Sequence, residues 1–335
     1  MTTKTDYIAK ARTDYEAALG IAVRDASLIH DGRQNTIVKI EDAGGQQNCV
    51  RYRTAVEFWY EDCIKEPFMA ALGVVDVPAV RHFNDGVRPQ ILISEFVEGP
   101  LLHVSGVSDD AATRVGRAIA ALHVPSNGAS TYLDFTQGKK SSETWVSQFL
   151  ASLREEAVAS GFDESDVADL NHRCGQIFPA STQNTLVLVH NDIHFKNLIQ
   201  RPNGSICFID WDSAVIAPPE KDFVKLLDWS HENTGTVPKI IRAYEDATGR
   251  PLNTDIVEAF RIYACLRQIH YQAASIQKGV DSAVLAQQGF FDDNKKHHQR
   301  MCQALNRLGL PDWRLPNAFS GAAWSFSSTS GAAPK

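Results

Sequence analysis

The sequence predicts an α+β fold in which a small antiparallel sheet is followed by a mainly helical region. Before residue 98, short apolar runs alternate with turns rich in Gly, Asn and Asp, a pattern typical of strands. Beyond that point, apolar residues recur at helical spacing over long stretches. Residues 190–197 interrupt the helical part with a polar segment between two apolar runs, and we expect the chemistry of the protein there.

Each element has its own local signal. Strands are predicted at residues 26–29, 36–40, 48–53, 79–83 and 90–96. Helices are predicted at residues 6–18, 54–72, 108–123, 143–159, 165–177, 221–229, 238–247 and 254–277, and residues 280–308 are predicted to form one or two further helices. The segment Glu98-Gly99-Pro100 predicts a boundary between an N-terminal lobe, 1–98, and a C-terminal lobe, 99–317. Residues 318–335 are rich in Gly, Ala and Ser, which predicts a flexible tail.

Composition and charge narrow the class of protein. The chain has 335 residues, of which 44% are hydrophobic and 22% charged, as in a soluble globular enzyme. The formal net charge of -7 argues against broad binding to nucleic acid or to an anionic membrane. Neither a membrane-spanning apolar stretch nor an apolar signal region is present, so we expect a cytoplasmic protein. We expect a small-molecule substrate as its partner, and either a monomer or a homodimer as its assembly.

The polar segment 190–197 reads His-Asn-Asp-Ile-His-Phe-Lys-Asn and lies in a distinctive local setting. A strand is predicted before it, at residues 186–189. A hairpin is predicted after it, with arms at 198–199 and 206–209 and the turn Pro202-Asn203-Gly204 between them.

This hairpin is expected to bring Asp210 close to Asp192 and Asn197. Carboxylate and amide oxygens are hard ligands that suit Mg²⁺. A separate carboxylate can orient an attacking hydroxyl, so the arrangement is the one that phosphoryl transfer needs.

The same residues resemble the aminoglycoside phosphotransferase and choline kinase superfamily, the small-molecule relatives of protein kinases. The family pattern is His-x-Asp-x-x-x-x-Asn followed by Ile-Asp-Trp/Phe-Asp/Glu, and both halves are present here. The resemblance implies a bilobal, protein-kinase-like fold, with Asp192 as the catalytic base and His190 as a buried residue that orients the loop. It implies Asn197 and Asp210 as Mg²⁺ ligands. Many members have Gly after the first His, whereas this chain has Asn191, as choline-kinase-like members and some antibiotic kinases do.

The resemblance also implies a nucleotide site in the N-terminal lobe. Gly32 and Asn35 match a reduced Gly-x-x-Asn loop whose backbone N–H groups can face phosphates, although Asp-Gly is first of all a hairpin turn. Alignment with the family's Val-Leu-Lys/Arg segment makes Arg51 the cation for the α- and β-phosphates, with Lys39 on the preceding strand as the alternative. Strand alternation puts Cys49 on the same face as Arg51, over the adenine.

Further nucleotide contacts follow from the same resemblance. Glu66 is the acid expected to pair with the phosphate-binding cation, and Glu57, Glu61 and Asp62 are nearby alternatives. The segment after the last predicted strand resembles the family's hinge, where the carbonyl of Glu95 and the N–H of Val97 would recognise adenine. The implied cofactors are ATP, with GTP as the alternative, and Mg²⁺.

Several residues near these motifs have two possible roles. Lys196 could stabilise the charge of the transferring phosphoryl group, or could be a solvated loop residue. Asp212 could contact the metal or cap the following turn, and we favour the cap. The resemblance implies a structural role for Asp222, which would brace the catalytic lobe. His297 and His298 are not expected to bind metal, because adjacent side chains on a helix do not face one another.

Acceptor-binding residues are expected on the helices that follow. The candidates are Asp228, Trp229, Glu232, Tyr263, Arg267, His270 and Tyr271. Asp228 and Glu232 are four residues apart, so on one helix they would share a face and favour an amine-bearing acceptor. The aromatic candidates could enclose a quaternary ammonium, although aromatic residues at helical spacing are more often part of a core.

The predicted activity is ATP- and Mg²⁺-dependent phosphorylation of a hydroxyl on a small molecule, with an aminoglycoside-like antibiotic or an amino sugar as the first acceptor class. An antibiotic acceptor would make the protein an antibiotic-resistance enzyme. The alternatives are a choline- or ethanolamine-type kinase and, from a different class, an inactive nucleotide-binding scaffold. A protein kinase is not expected, since the chain has no Asp-Phe-Gly or Ala-Pro-Glu segment.

Overall fold

The computed structural model describes residues 4–31, 35–53, 65–84, 90–124, 142–181, 186–229, 235–277 and 290–316. The chain forms two compact units that are each discontinuous in sequence. The first combines Met1–Gly138 with Val187–Leu252, and the second combines Lys139–Leu186 with Asn253–Lys335. This grouping does not test the predicted lobe boundary between residues 98 and 99, which stays a prediction.

The described strands are β1 (Val23–Asp31), β2 (Asn35–Asp42), β3 (Gln47–Arg53), β4 (Val80–Asn84), β5 (Gln90–Glu95), β6 (Val187–Val189), β7 (Leu198–Gln200), β8 (Ile206–Phe208) and β9 (Val215–Ala217). The described helices are α1 (Lys4–Leu19), α2 (Glu66–Leu72), α3 (Leu102–Ser105), α4 (Asp109–Leu122), α5 (Ser142–Ala159), α6 (Glu164–Ser181), α7 (Phe223–Trp229), α8 (Thr236–Thr248), α9 (Thr254–Gln277) and α10 (Phe290–Arg307).

A five-stranded antiparallel sheet forms the N-terminal part of the first unit, in the order β1-β2-β3-β5-β4. Side chains alternate between its faces, and one face packs against α1. The buried core on that face consists of Ala11, Tyr15, Val38, Ile40, Val50, Tyr52 and Ile93. The opposite face carries the odd-numbered residues of β3, so the register of this strand determines which side chains face away from α1.

Helix α1 is also tied to the turn between β2 and β3. The Tyr15 hydroxyl donates to the buried carboxylate of Asp42 at 3.1 Å, and Asn48 Nδ2 donates to the Tyr15 oxygen at 2.8 Å. The same carboxylate accepts the backbone N–H groups of Gly44 and Gln46 at 2.9 Å each. One carboxylate therefore holds a helix and a tight turn together.

The remainder of the first unit packs around a second hydrophobic core. It includes Val115 and Ile119 of α4, Ile240 of α8 and the aromatic residues Phe208 and Trp211. Helices α4 and α8 approach closely at Gly116. A Cβ at that position would lie 2.8 Å from Ala243 Cβ and closer still to the carbonyl oxygen of Ile240. Only glycine fits this helix crossing without displacing the neighbouring helix.

The hairpin after the polar segment forms as predicted, with β7 paired to β8. Its turn is anchored to the residue Asp76, which follows α2. Arg201 Nε and Ser205 Oγ donate to the Asp76 carboxylate at 2.8 and 2.6 Å, and the Phe208 N–H donates to the Asp76 carbonyl at 2.8 Å. Strand β9 pairs with β6 and was not predicted.

The second unit is built from α5, α6, α9 and α10. A cluster of aromatic rings lies at its centre, formed by Trp145, Phe149, Phe178, Phe260 and Tyr263. Their centroids are 4.9–5.3 Å apart for the contacts of Phe149, which is the usual spacing of aromatic pairs in a core.

The fold class predicted from the sequence is confirmed: an antiparallel sheet in the N-terminal region and helices in the C-terminal region. The predicted helix 254–277 coincides with α9. Of the predicted helices 54–72 and 280–308, only Glu66–Leu72 and Phe290–Arg307 are helices within the described residues. The predicted tail lies outside them. No helix in the described part of the chain is long and apolar enough to cross a membrane.

Candidate active site

The polar segment after β6 is held by its backbone to a single buried carboxylate. The N–H groups of His190 and Asn191 donate to the two oxygens of Asp222, at 3.0 and 2.5 Å. His123 Nε2 lies 3.0 Å from the same carboxylate. Asn191 has a φ of 62°, a left-handed conformation that Asn tolerates better than most residues, and its amide donates to the Ser213 carbonyl at 3.0 Å. Asp222 therefore braces this loop, and its role is structural, as predicted.

His190 is fully buried within this loop. Its Nε2 lies 3.0 Å from the carbonyl oxygen of Ile209, and its ring lies 4.3 Å from the ring of Trp211. Burial lowers the pKa of His190, so the imidazole is neutral near pH 7. Its single N–H is at Nε2, which donates a hydrogen bond to the Ile209 carbonyl. The ring links the loop to the chain next to Asp210, which suits an orienting role.

Asp192, Asn197 and Asp210 come together as the hairpin prediction required. Asn197 Nδ2 donates to the Asp192 carbonyl at 3.0 Å, and the Ile209 N–H donates to the Asn197 carbonyl at 3.1 Å. Asp210 has a φ of 64°, which turns the chain sharply at the end of the hairpin. Burial is the main cause that raises the pKa of Asp210 to about 6, and repulsion from the carboxylate of Asp212 is the second. Repulsion from Asp192 adds to this effect.

These residues fit a bound Mg²⁺. Burial and neighbouring acidic residues disfavour the ionised form of the Asp210 carboxyl group. A bound divalent cation would offset both effects, so this carboxylate is a favourable cation ligand. No group of three or more His, Cys, Asp or Glu side chains forms a metal cluster within the described residues. Mg²⁺ commonly uses one or two protein ligands together with phosphate oxygens and water, so Asn197 and Asp210 would suffice when a nucleotide is bound.

Arg51 and Glu66 form a buried bidentate ion pair on the sheet side of the site. Arg51 NH1 and NH2 lie 2.6 Å from the two oxygens of Glu66. Burial by itself lowers the pKa of Arg51, but the charges of Glu66 and Asp212 outweigh it, so the pKa is raised. The guanidinium is charged and fixed in orientation, which suits a phosphate-binding group.

The prediction that Asp212 caps the following turn is wrong. Asp212 Oδ1 lies 3.4 Å from Arg51 NH2, and Oδ2 lies 3.5 Å from Asn35 Nδ2 and 3.8 Å from Arg53 NH1. Asp212 itself lies within the short helical turn Trp211–Ser213, and the next such turn, Pro219–Asp222, has Pro218 at its cap position. Asp212 thus links the hairpin to two strands of the sheet because its carboxylate meets cations there, a long-range pairing that local sequence does not reveal.

The remaining nucleotide candidates are placed as follows. Lys39 Nζ lies 4.0 Å from the ring centroid of Phe96, whereas Arg51 pairs with Glu66, which favours Arg51 as the phosphate-binding cation. Cys49 is half-buried on the same face as Arg51, and burial raises its pKa to about 12, so its thiol stays protonated. Gly32, Glu57, Glu61 and Asp62 lie outside the described residues.

The segment that resembles a hinge continues from β5. The N–H groups of Glu95 and Phe96 donate to the carbonyls of Ala79 and Gln47, at 2.9 and 3.1 Å. The Glu95 carboxylate pairs with Arg201 of the hairpin, and Val97 is buried. The adenine-binding roles of the Glu95 carbonyl and the Val97 N–H stay predictions.

Within the described part of the chain, two side chains contact the Asp192 carboxylate, and neither was assigned to it from the sequence. Lys225 Nζ, on α7, donates to Asp192 Oδ1, and His194 Nε2 lies 3.4 Å from the same oxygen. Burial lowers the pKa of His194 to about 4, so its ring is neutral near pH 7. Lys196, the lysine predicted from the loop, is exposed, and its backbone N–H donates to His194 Nδ1 at 3.2 Å. Lys225 follows the brace Asp222 by three residues, and this helical spacing is the signal that could have identified it.

The acceptor candidates are divided between the two units. Asp228 is buried on α7 in the first unit, and Glu232 lies outside the described residues. Tyr263 and Arg267 belong to the second unit, where Tyr263 packs on Phe149 within the aromatic cluster. Arg267 Nε lies 3.7 Å from Oε1 of the buried Glu156, and His270 Nδ1 lies 2.5 Å from Oε2 of the same residue. Trp229 and Tyr271 are on α7 and α9, but their side chains are outside the described structure.

Comparisons with known proteins bear on the family and the fold of the chain. The sequence profile described as the phosphotransferase enzyme family matches residues 28–260. No curated protein matches the sequence.

Solved structures resemble the chain over most of its length. A macrolide 2′-phosphotransferase from Brachybacterium faecium is 14% identical, with a TM-score of 0.64 over 88% of this chain and 97% of that one. A choline kinase from Streptococcus pneumoniae is 14% identical, with a TM-score of 0.59 over 89% and 98%. A spectinomycin phosphotransferase in complex with ADP and spectinomycin is 14% identical, with a TM-score of 0.58 over 86% and 93%. At such identities the likeness concerns the fold, and the predicted kinase-like fold is confirmed.

Proposed function

The chain belongs to the phosphotransferase enzyme family, and on that premise we propose that it transfers the γ-phosphoryl group of ATP, with Mg²⁺, to a hydroxyl of a small molecule. GTP is the alternative donor. The observation that carries this proposal is that Asp192 and Asn197, on a loop braced by Asp222, are held next to the end of the hairpin that carries Asp210.

The side chains divide the reaction between two tasks. Asp192 accepts the proton of the acceptor hydroxyl as that oxygen attacks, which is the role of a general base. Arg51, held by Glu66 and Asp212, binds the α- and β-phosphates. Asn197 and Asp210 would hold Mg²⁺, which neutralises the charge on the phosphates when bound.

The remaining requirement of phosphoryl transfer is that the reacting groups are held in position. Phosphoryl transfer needs little covalent chemistry from the protein, so catalysis depends on orientation and charge. Asp222 fixes the backbone before Asp192, and His190 connects that loop to the carbonyl of Ile209. The base and the metal-binding acid are therefore held by the same small network.

The chemical class of the acceptor is proposed in broader terms than the reaction. The phosphotransferases and the choline kinase with similar folds have names that refer to small hydroxyl-bearing compounds, which supports such an acceptor here. An aminoglycoside-like antibiotic or an amino sugar remains the first predicted class, with a choline- or ethanolamine-type acceptor as the alternative. The complete set Asp192, Asn197 and Asp210 argues against an inactive scaffold.

The test compares Asp192→Ala with a matched exposed aspartate, Asp109→Asn. We expect Asp192→Ala to lower kcat by about 10²–10⁴-fold, because it removes the base, and to leave ATP affinity nearly unchanged. Asp109 lies on α4, where it pairs with Lys239, and its variant should behave like the wild type. Turnover is measured with Mg·ATP and a panel of hydroxyl compounds, with products identified by mass spectrometry. Wild-type turnover by Asp192→Ala, or no turnover by the wild type, would contradict the proposal.

A further inference from the structure

A lysine ammonium lies directly on the proposed catalytic base. Lys225 Nζ donates to Asp192 Oδ1, and the two side chains are 33% and 15% exposed. Lys225 is carried by α7, whose residues Phe223 and Leu226 are buried in the hydrophobic core. The backbone from which the lysine extends is therefore fixed next to the brace Asp222.

Lys225 is the charged partner of the base. Of the described residues, Lys225 and His194 contact the Asp192 carboxylate. Lys225 and the proposed base therefore form an ion pair through Asp192 Oδ1. The other oxygen, Asp192 Oδ2, contacts neither Lys225 nor His194, and it can accept a hydrogen bond from the hydroxyl of the acceptor molecule.

The position of this ammonium constrains what can approach the base. An acceptor hydroxyl that reaches Asp192 carries its neighbouring substituents to within a few ångströms of Lys225. Like charges at that separation repel strongly at a partly desolvated site, and the repulsion is reduced by the solvent that still reaches Lys225. An ammonium on the acceptor would also compete with Lys225 for the same carboxylate.

We propose that Lys225 is a specificity-determining residue that selects acceptors with neutral or anionic groups beside the reacting hydroxyl, such as polyols and hydroxy acids, and rejects acceptors with an ammonium there. This proposal rests on the proposed phosphotransferase function and narrows its acceptor class. It disfavours choline- and ethanolamine-type acceptors, in which the ammonium is one short link from the hydroxyl. An amine farther from the reacting hydroxyl, as an amino sugar can have, is compatible with it.

The test uses three matched probes that share a hydroxymethyl group: glycerate, glycerol and 2-aminopropane-1,3-diol. We expect the wild type to phosphorylate glycerate and glycerol with a kcat/KM at least about tenfold above that of the amino compound. Lys225→Met should reduce this preference to within about threefold, and Lys225→Arg should keep it, because Arg retains the charge. Lys225→Gln provides a second neutral variant, and thermal unfolding of each variant reports whether it folds.

The control is Lys239→Met, since Lys239 also pairs with an aspartate, Asp109, but on exposed helix surfaces. It should keep the wild-type preference. Equal use of the three probes by the wild type, including equal absence of use, would overturn the proposal. So would an unchanged preference in both neutral variants of Lys225.

ATP hydrolysis without an acceptor separates this proposal from the proposed function. If the wild type hydrolyses ATP and Asp192→Ala does not, the result would support the phosphotransferase function, whichever acceptor probes are used. In that case a wrong order of the probes overturns only the role of Lys225. Absence of both hydrolysis and transfer in the wild type would overturn the proposed function and, with it, the role of Lys225.

Discussion

At the scale of single residues, the environment of Asp192 combines backbone support with a charged partner. Asp222 holds the N–H groups of the two residues before it, and Lys225 contacts its carboxylate. In the sheet, Arg51 is held by Glu66 and Asp212. The proposed base and the proposed phosphate-binding cation are therefore each held in place by an oppositely charged residue.

The first residue-scale prediction separates Arg51 from Lys39. Arg51→Ala should raise KM for ATP and lower kcat by roughly tenfold or more, because a fixed phosphate-binding cation is lost and Glu66 is left buried without its partner. Lys39→Ala should have a much smaller effect, since its ammonium lies over the Phe96 ring. Steady-state kinetics with varied Mg·ATP measures both. A larger effect from Lys39→Ala would move the phosphate-binding role to β2.

The second residue-scale prediction concerns the metal. Asp210→Asn keeps the size of the side chain and suits the left-handed backbone at this position, but it removes the negative charge. We expect the Mg²⁺ concentration for half-maximal activity to rise by about tenfold or more, because a carboxylate ligand is lost. Titration of activity with Mg²⁺ at saturating ATP measures this, with Asp109→Asn as the control. An unchanged Mg²⁺ requirement would exclude Asp210 as a ligand.

At the scale of elements, two close approaches determine how the first unit packs. One is the crossing of α4 and α8 at Gly116, and the other is the junction of α1 with the β2–β3 turn through Tyr15 and Asp42. Each depends on a residue type that helix or strand propensity would not select at that position.

Gly116→Ala should destabilise the protein by about 1–3 kcal/mol, because the new methyl group would overlap the Ile240 carbonyl and the backbone of α8 would have to move. The matched control is Gly175→Ala in α6, where a Cβ would meet only Leu150 Cδ1, at 3.9 Å. That substitution should stabilise its helix by about 0.5–1 kcal/mol, as alanine does in place of glycine within a helix. Urea unfolding measures both, and equal effects of the two variants would contradict the close helix crossing.

Tyr15→Phe should cost about 1 kcal/mol, since Asp42 and Asn48 lose a buried hydrogen-bonding partner. Burial, together with the hydrogen bond to Asp42, raises the pKa of Tyr15 from about 10 to about 12. The neutral hydroxyl is thus favoured in the folded protein, so its contribution is complete below about pH 10 and is lost as the pH rises through about 12. The difference in unfolding free energy between wild type and Tyr15→Phe should shrink over this range. Tyr7→Phe, on the same helix, is the control, and a difference that grows with pH would contradict the assignment.

At the scale of the whole molecule, the proposed nucleotide and metal residues all belong to one compact unit. Arg51, Glu66, Asp192, Asn197 and Asp210 lie in the unit formed by Met1–Gly138 and Val187–Leu252. Tyr263 and Arg267, two of the acceptor candidates, lie in the other. Binding of the nucleotide alone should therefore affect mainly the first unit.

Hydrogen exchange with and without Mg·ADP tests this distribution. We expect slower exchange of backbone amides in β3, in α2 and in residues 190–213, because the bound nucleotide contacts groups on these segments. Helix α5, in the second unit, should exchange at an unchanged rate. Protection that is strongest in α5 would place the nucleotide elsewhere than proposed.

The local pattern of the sequence was sufficient for much of the fold and for the centre of the site. Alternation and turn residues predicted the β7–β8 hairpin, helical periodicity predicted α9, and the spacing from His190 to Asp210 predicted the group Asp192, Asn197 and Asp210. These features depend on residues that are close in the chain, so local propensity and spacing determine them.

Other features depended on the tertiary structure. The pairing of β9 with β6, the contact of Asp212 with Arg51 across 161 positions and the contact of Lys225 with Asp192 across 33 join segments that are distant in sequence. A charged residue can be solvated equally well in many local settings, and it acquires a specific partner only when the chain folds back and removes water from both charges. For that reason the sequence was sufficient to propose Asp192 as the base, whereas only the tertiary structure showed the cation beside it.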